Sequence, residues 1–240
     1  MILYGVNPIR EAIRAHPARI RYIAVASEHK ARLQKLIAEA KEAGVSVRQL
    51  SPSQIDRLAG KGIHNGVAAE LSPVAYADFD EVVAAGAADF ILILDGIQDP
   101  QNLGAILRVA DSFQVDLVVI PEHESAGLTA TVVKASAGAS EWVPVAQVTN
   151  LSRAIEVLKK AEYWVYGAEM EGDPITKIDF RGKVAVVLGG EGKGMRHNVL
   201  EHCDRKIAIP TRGHVESLNV STAAAIICYE VDRQHRAASQ

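Results

Sequence analysis

FILILDGIQDPQNLGAILR, residues 90–108, begins with five consecutive apolar residues, continues through a polar loop and ends in a helix-like stretch. The succession recurs downstream, where VAVVL at 184–188 is a second continuous apolar run and DLVVIP at 116–121 and KIAIP at 206–210 come close to one. Continuous apolar runs of strand length are typical of parallel strands that are covered on both faces. The sequence therefore predicts an α/β fold with a parallel sheet from about residue 90 onwards.

The first 72 residues predict a smaller α/β domain of their own. RIRYIAVAS at 19–27 and VSVRQL at 45–50 have the pattern of strands, with a helix predicted over 28–44 between them. Ser51-Pro52-Ser53-Gln54 has the capping-box pattern with proline at the first helical position, which predicts a short helix. KGIHNGVAAEL, residues 61–71, then predicts a tight turn that leads into an edge strand.

These patterns divide the chain into three parts. We assign one domain to residues 1–72 and a second domain to residues 89–240. Between them, residues 73–88 contain Pro73 followed by small and acidic residues, and they are the predicted linker.

Composition restricts the class of protein. The 240 residues are 48% hydrophobic and 23% charged, which is typical of a globular chain. The beginning of the chain, MILYGVNPIREAI, reaches polar residues before a signal-peptide core could form, and no apolar run approaches the length of a membrane span. We therefore expect a cytoplasmic protein with no membrane partner. Cys203 and Cys228 are far apart in the sequence, so neither a disulfide nor a metal site is predicted.

Charge is distributed unevenly along the chain. Residues 1–72 hold 11 Lys and Arg against 6 Asp and Glu, a net charge of +5, whereas the remaining 168 residues hold 15 against 23, a net charge of -8. Such asymmetry indicates that the basic part meets a polyanion such as nucleic acid. The alternative is that these charges serve only solubility.

Three polar loops follow predicted strands, at residues 94–108, 188–195 and 209–221. In open α/β sheets ligands bind beyond the carboxyl ends of the strands, so these loops are the predicted site. The first loop places Asn102 at the start of a helix that exposes Arg108. Alternatively, Asn102 only caps that helix and Arg108 is solvated surface.

The second loop, LGGEGKGM, has four glycines in six positions around Glu191 and Lys193. A phosphate-binding loop would need Ser or Thr after the lysine, where this chain has Gly194, and the dinucleotide-binding spacing is also broken. We interpret the glycines as allowing the backbone to approach a flat, uncharged ring such as adenine. A plain turn is the alternative.

The third loop leads into a helix that begins with more polar side chains than a cap needs: Ser217, Asn219, Ser221 and Thr222. The surplus indicates a site. The loops contain no nucleophile paired with a base and no histidines at metal-ligand spacing. Their chemistry therefore favours positioning and electrostatic stabilisation around two bound reactants.

NLGAILR at 102–108, LGGEGKGM at 188–195 and IPTRGHVESLNVSTAAAI at 209–226 resemble, in order and spacing, the three motifs of the SpoU (TrmH) family of RNA ribose 2'-O-methyltransferases in the SPOUT superfamily. The resemblance covers roughly residues 90–236. LYGVNPIREAI at 3–13 and IHNGVAAEL at 63–71 resemble the substrate-binding domain of the RlmB-type members, which methylate a guanosine in 23S rRNA.

This resemblance implies a deep trefoil knot in the catalytic domain, S-adenosylmethionine as methyl donor, a homodimer that completes each site, and RNA, most closely 23S rRNA, as partner with no role for DNA. The catalytic positions it implies are Asn102, Arg108, Glu191, Ser217 and Asn219. The cofactor-binding positions it implies are Gly189, Gly190, Ile209, Pro210, Leu218 and Asn219. The alternatives are the same chemistry on tRNA, a catalytically silent RNA-binding protein of this fold, and a nucleotide-binding protein unconnected with RNA.

Overall fold

The computed structural model describes residues 1–60, 63–192, 194–214 and 217–238. Its strands are β1 Ile2–Tyr4, β2 Ile20–Ala26, β3 Val47–Leu50, β4 Val67–Leu71, β5 Phe90–Asp95, β6 Leu117–Pro121, β7 Val145–Val148, β8 Trp164–Pro174, β9 Val184–Gly189 and β10 Arg205–Ala208. Its α-helices are α1 Val6–Ala15, α2 Gln34–Glu42, α3 Pro52–Ala59, α4 Phe79–Ala85, α5 Pro100–Ser112, α6 Ala130–Ala135, α7 Leu151–Lys160, α8 His197–His202 and α9 Val220–Ala238.

The chain forms two compact units. The first unit consists of Met1–Ala75 together with Leu128–Trp142, and the second consists of Tyr76–Gly127 together with Val143–Gln240. The segment Leu128–Trp142 therefore packs with the N-terminal unit, although it lies within the predicted catalytic domain in sequence. Its helix α6 contributes Val133, which is buried in the same apolar cluster as Leu3 and Ile9.

The first unit is built on a four-stranded sheet in the order β1-β4-β2-β3. Only β2 and β3 run parallel in it, since β4 is antiparallel to both of its neighbours. The predicted capping box is confirmed, because the Ser51 and Gln54 side chains each bond the other residue's backbone at the start of α3. Lys61 and Gly62 of the predicted turn lie outside the described residues.

The prediction of β4 as an edge strand is wrong. β4 lies inside the sheet because the first residues of the chain form β1 and pair with it, with Ile2 opposite Glu70 and Tyr4 opposite Ala68. A three-residue strand is too short to produce a clear alternation of apolar and polar residues. The sequence pattern therefore gave no indication of the strand that covers this edge.

The second unit contains the predicted parallel sheet, which is confirmed. Its six strands lie in the order β10-β8-β9-β5-β6-β7, and all neighbours run parallel. The apolar runs predicted as strands form its centre, where β5 and β9 pair along their full length from Phe90 opposite Val184 to Asp95 opposite Gly189. Parallel pairing brings the loops after β5 and β9 to the same edge of the sheet.

The segment 73–88, predicted as a linker, includes helix α4. Asp78 caps this helix by accepting a hydrogen bond from the Glu81 backbone N–H at 3.0 Å, and Phe79 and Val83 are buried in the core of the second unit. Much of the segment is thus packed structure, and the domain boundaries at 72 and 89 stay predictions.

Both cysteines are free thiols. Cys228 is buried in α9 and Cys203 is half-buried. Burial raises the pKa of each thiol to about 12, and for Cys203 the neighbouring Asp204 carboxylate adds to the effect. Both thiols therefore stay protonated at neutral pH. None of the helices in the described ranges has the length and apolarity needed to cross a bilayer.

Candidate active site

Helix α5 begins at the carboxyl edge of the parallel sheet. Asp99 caps it by accepting a hydrogen bond from the Gln101 backbone N–H at 2.9 Å, and Pro100 occupies the first turn, where its missing N–H costs nothing. The cap is therefore Asp99, not Asn102. Asn102 lies in the first turn, where its buried side chain is free to take part in other contacts.

The structure brings together three of the predicted catalytic residues, one from each loop. The Asn102 amide donates to Glu191 Oε1 and, at 3.2 Å, to Asp99 Oδ2. The Asn219 amide donates to the same Glu191 Oε1 at 3.3 Å and to Asn102 Oδ1 at 3.1 Å. Residues that lie 89 and 117 positions apart thus form one hydrogen-bonded cluster, which we call the amide–carboxylate cluster.

Asn219 has two roles. Its Oδ1 accepts hydrogen bonds from the Ser221 backbone N–H at 2.9 Å and from the Ser221 hydroxyl at 2.6 Å, so it caps α9. Its amide nitrogen points the other way and joins the amide–carboxylate cluster. An asparagine can do both because it carries an acceptor and two donors on one rigid group. Part of the polar surplus at the start of α9 is thereby explained.

The glycines of the second loop are explained by contacts within the chain. A Cβ atom on Gly189 would collide with the backbone of Met195, and one on Gly190 would collide with the carbonyl of Gly96. Gly192 and Gly194 have φ of 79° and 64°, which side-chain-bearing residues rarely adopt. The loop thus needs glycine to fold back on itself, and the predicted approach to a flat ring is not required to account for these residues.

An ion pair between the buried Asp95 and the exposed Arg196, which the sequence did not predict, holds this loop. Asp95, the last residue of β5, is 1% exposed. Its carboxylate accepts hydrogen bonds from the Arg196 backbone N–H at 2.8 Å and from Arg196 Nε at 2.7 Å. Its carbonyl also accepts from the Gly190 N–H at 2.8 Å. Asp95 therefore fixes both ends of the segment that carries Glu191. An acid directly after a fully apolar strand was the available indication.

We expect Asp95→Asn to loosen the Glu191 loop, because it removes the charge opposite Arg196 and replaces an acceptor oxygen with a donor. The free energy of unfolding should fall by about 1–3 kcal/mol, the usual loss when a buried hydrogen-bonding group is left unsatisfied. Urea denaturation monitored by circular dichroism measures this change. Glu124→Gln is the matched control, because Glu124 is an exposed acid 3.8 Å from the same guanidinium. Equal losses in the two variants would contradict the role given to Asp95.

The predicted cofactor-binding residues lie on the loops after β9 and β10. Gly189 and Ile209 are half-buried, whereas Pro210 and Leu218 are exposed, with Leu218 40% exposed although it is apolar. Apolar side chains and glycine backbone on loops at one edge of a parallel sheet suit a ligand that combines a flat ring with polar groups. The residues present therefore fit S-adenosylmethionine. Within the described ranges, no group of three or more His, Cys, Asp or Glu side chains is arranged to hold a metal ion.

Two predicted catalytic residues lie apart from the cluster. Arg108 and Ser217 are exposed, and neither forms a hydrogen bond with Asn102, Glu191 or Asn219, all of which lie in the described part of the chain. Arg108 follows Asn102 by six residues on α5, which turns it about 120° around the helix axis. It therefore faces a different direction from the cluster of its own chain. Lys193, Val215 and Glu216, which belong to the same motifs, lie outside the described residues.

Comparison with protein families agrees with this arrangement. The profile described as the SpoU rRNA methylase family matches residues 89–229, a range that contains the whole amide–carboxylate cluster. The chain belongs to the SpoU rRNA methylase family. A second profile, described as RNA 2'-O ribose methyltransferase substrate binding, matches residues 2–77. The predicted family and the N-terminal substrate-binding domain are both confirmed.

Several relatives match this SpoU family chain over nearly its full length. The 23S rRNA (guanosine-2'-O-)-methyltransferase RlmB of Xylella fastidiosa is 40% identical over 238 residues, covering 97% of this chain and 96% of the relative. A putative TrmH family tRNA/rRNA methyltransferase of Staphylococcus saprophyticus is 41% identical over 239 residues, covering 98% and 96% of the two chains.

Solved structures share the fold. A putative RNA methyltransferase of the TrmH family from Porphyromonas gingivalis is 26% identical, with a TM-score of 0.75, over 97% of this chain and 89% of that one. The SpoU methyltransferase AviRb from Streptomyces viridochromogenes, in complex with the cofactor AdoMet, is 22% identical, with a TM-score of 0.81, over 99% and 91%. The predicted α/β architecture of this SpoU family member is thus confirmed.

Proposed function

We propose that the protein transfers a methyl group from S-adenosylmethionine to the ribose 2'-hydroxyl of a guanosine in 23S rRNA. The observation that carries the proposal is the amide–carboxylate cluster of Asn102, Glu191 and Asn219, located where a ligand of a parallel sheet binds. The 40% identity to RlmB of Xylella fastidiosa, named for this reaction, supports the substrate assignment.

The residues that would hold the cofactor are Gly189, Gly190, Ile209, Pro210, Leu218 and Asn219. S-adenosylmethionine supplies an electrophilic methyl group when bound. Leu218 and Ile209 offer apolar surface for its flat ring, and backbone groups of the loops after β9 and β10 offer donors and acceptors for its polar groups.

Glu191 and its two amide partners orient the reacting groups. Because Asn102 and Asn219 donate to the same carboxylate oxygen, they hold the exposed Glu191 side chain in one position. Preorganised polar groups of this kind stabilise a transition state without reorganising during the reaction. Alignment of the ribose hydroxyl is the main task of the site, since holding the reactants in the right orientation lowers the activation free energy by several kcal/mol.

Arg108 positions the RNA in this proposal. Guanidinium groups keep their proton in proteins, so we do not assign Arg108 as the base that accepts the hydroxyl proton. Its planar fork instead holds the ribose hydroxyl and an adjacent phosphate, and a phosphate oxygen or a water molecule accepts the proton. Ser217, exposed on the loop before α9, adds a hydroxyl donor for the substrate.

We further propose a homodimer in which Arg108 serves the site of the other protomer. Two observations support it: Arg108 faces away from the cluster of its own chain, and α5 packs against α9, which exposes the apolar side chains Ile226 and Tyr229. These two side chains are three residues apart and share one helix face. An exposed apolar helix face beside a catalytic arginine suits a contact between two copies.

Mixing two inactive proteins tests the shared site. We expect Arg108→Ala and Glu191→Ala proteins, each inactive alone, to recover about a quarter of wild-type activity after subunit exchange, since half of random dimers are hybrids with one complete site. Methyl incorporation into rRNA is the measurement. Each variant mixed with itself is the control. Recovery no greater than the sum of the two controls would contradict a site shared between protomers.

The deep trefoil knot and the cytoplasmic location are parts of the same proposal. The family to which the chain belongs supports the knot, and the proposed ribosomal RNA substrate supports the location.

One experiment tests the proposed reaction. The full chain is incubated with labelled S-adenosylmethionine and unmodified 23S rRNA or tRNA, and the methyl group is located by mass spectrometry. Label on a guanosine 2'-oxygen of 23S rRNA is the expected result. Label on tRNA would favour the second candidate, to which the tRNA/rRNA name of the Staphylococcus relative points. Label on a base, or binding of the cofactor with no label on RNA, would overturn the proposal.

A further inference from the structure

One face of the N-terminal sheet carries two tyrosines, each in contact with a cationic side chain. The pairing register places Tyr4, Ala68, Ala24 and Arg48 side by side across the four strands. Tyr22 lies two residues before Ala24 on β2, so it is on the same face. Helix α3 packs on the alanines of this face, while Arg48 stays exposed and both tyrosines are half-buried at its margin.

Each tyrosine of this face lies under a cation. Arg48 Cζ lies 4.1 Å from the centroid of the Tyr22 ring, and Lys134 Nζ lies 4.3 Å from the centroid of the Tyr4 ring. Both distances are well within the range of favourable cation–π contacts. The two cations come from unrelated elements, β3 and α6, so the arrangement is not a by-product of one strand's pattern. We call Tyr4, Tyr22, Arg48 and Lys134 the tyrosine face.

The charge around the tyrosine face is mainly positive. Glu70 is the acid that lies opposite Tyr22 on this face. Arg21, at the bulge of β2, donates a hydrogen bond to it at 2.8 Å and balances its charge. Arg48 and Lys134 have aromatic rings as partners, which leave the positive charge uncompensated. A polyanion is the ligand that such a surface attracts.

We propose that the tyrosine face binds unpaired bases of the RNA substrate, with the Arg48 guanidinium and the Tyr22 ring as the stacking surface and Lys134 as the phosphate contact. This inference rests on the proposed function and specifies which part of the RNA the N-terminal unit contacts. A guanidinium plane supported by an aromatic ring is a surface on which a base stacks. Bases in a duplex already stack on their neighbours, so the face selects single-stranded segments.

The spacing of the face fits more than one nucleotide. Tyr4 and Tyr22 lie two strands apart and are offset by two residues, which corresponds to about 12 Å from the strand spacing and rise. A single base cannot contact both positions. The face therefore engages two separate nucleotides of an extended strand.

The test measures binding of the full chain to a labelled 12-nucleotide RNA of mixed sequence, single-stranded or annealed to its complement. We expect Arg48→Ala to weaken binding of the single strand about 5- to 20-fold, and Arg48→Ala/Lys134→Ala to weaken it further, in line with the loss of one stacked base. Binding of the duplex should change less than about 3-fold. Tyr22→Phe, which keeps the ring, should resemble the wild type.

The matched control is Lys35→Ala/Lys41→Ala, which removes two positive charges from α2 on the opposite face of the same sheet. Equal losses in this control and in the Arg48→Ala/Lys134→Ala protein, or equal losses for single strand and duplex, would overturn the proposal. Methyl transfer to 23S rRNA by the wild type is measured in parallel. If the wild type methylates rRNA while the tyrosine-face variants bind the single strand normally, this inference fails and the proposed function stands. If the specific losses occur without any methyl transfer by the wild type, the proposed function fails and the tyrosine face stands.

Discussion

Arg108→Lys is expected to turn over at least about 100-fold more slowly than the wild type while binding S-adenosylmethionine with unchanged affinity. Lysine keeps the positive charge but has no planar fork, so it cannot hold the ribose hydroxyl and a phosphate at the same time. Single-turnover methyl transfer to rRNA measures the rate, and calorimetric titration measures cofactor binding. The loss should appear in the chemical step, because the fork acts on the RNA and not on the cofactor loops.

The control for this variant is Arg153→Lys, an exposed arginine on α7 whose exchange should leave both quantities unchanged. A near-normal rate for Arg108→Lys, accompanied by a new acidic limb in the pH–rate profile, would show that the residue acts as the base. The positioning role would then be wrong.

Arg19→Met is expected to lower the free energy of unfolding by about 3 kcal/mol, because it leaves a buried carboxylate unpaired. Arg19 Nη1 bonds to Glu141 Oε2, Arg19 Nη2 donates to the Ser72 carbonyl at 2.8 Å, and the Glu141 side chain is 1% exposed. Urea denaturation at fixed pH measures the loss. Arg19→Met/Glu141→Leu should recover most of it, since removing both charges removes the uncompensated burial. A double variant no more stable than Arg19→Met would contradict this explanation.

The same variant has a predictable pH dependence. Burial raises the pKa of Glu141 above its ordinary value of 4.5, and the charge of Arg19 opposes that shift. Without Arg19 the pKa rises further. When the pKa of a carboxyl group is higher in the folded than in the unfolded protein, ionisation of that group favours unfolding. The protein is then most stable below the unfolded-state pKa, and the free energy of unfolding falls as the pH rises from there through the folded-state pKa. The loss in free energy of unfolding caused by Arg19→Met should therefore be larger at pH 8 than at pH 5. Equal losses at the two pH values would contradict this prediction.

The sequence predicted the parts of the fold that depend on local pattern. The apolar runs at 90–94 and 184–188 became the paired central strands β5 and β9, and the capping box at Ser51 became the start of α3. It failed where pairing between distant segments decides the outcome. The three residues of β1 were too few to show an alternation of apolar and polar side chains. Helix α4 has only seven residues and lies in a segment whose composition is typical of a linker.

The candidate site was predictable to a different extent for each residue. The polar loops drew attention to Asn102, Glu191 and Asn219, but their catalytic assignment came through the resemblance to a family, because no local rule says that two amides and an acid from three loops will meet. Asp95 was missed because its role appears only when the fold brings Arg196 to it from 101 positions away. The direction that Arg108 faces likewise follows from helix geometry and not from its place in a motif.

The packing of Leu128–Trp142 with the N-terminal unit sets an order for folding during synthesis. That unit cannot complete its core until Val133 and Glu141 have left the ribosome, although its other residues end at Ala75. Translation adds about 5–20 residues per second, so the nascent unit waits roughly 3 to 13 s with the partners of Val133 uncovered and Arg19 unpaired. During that interval the apolar side chains that Val133 will cover stay exposed. The strands β5 and β6 of the second unit are therefore synthesised before the first unit can be completed.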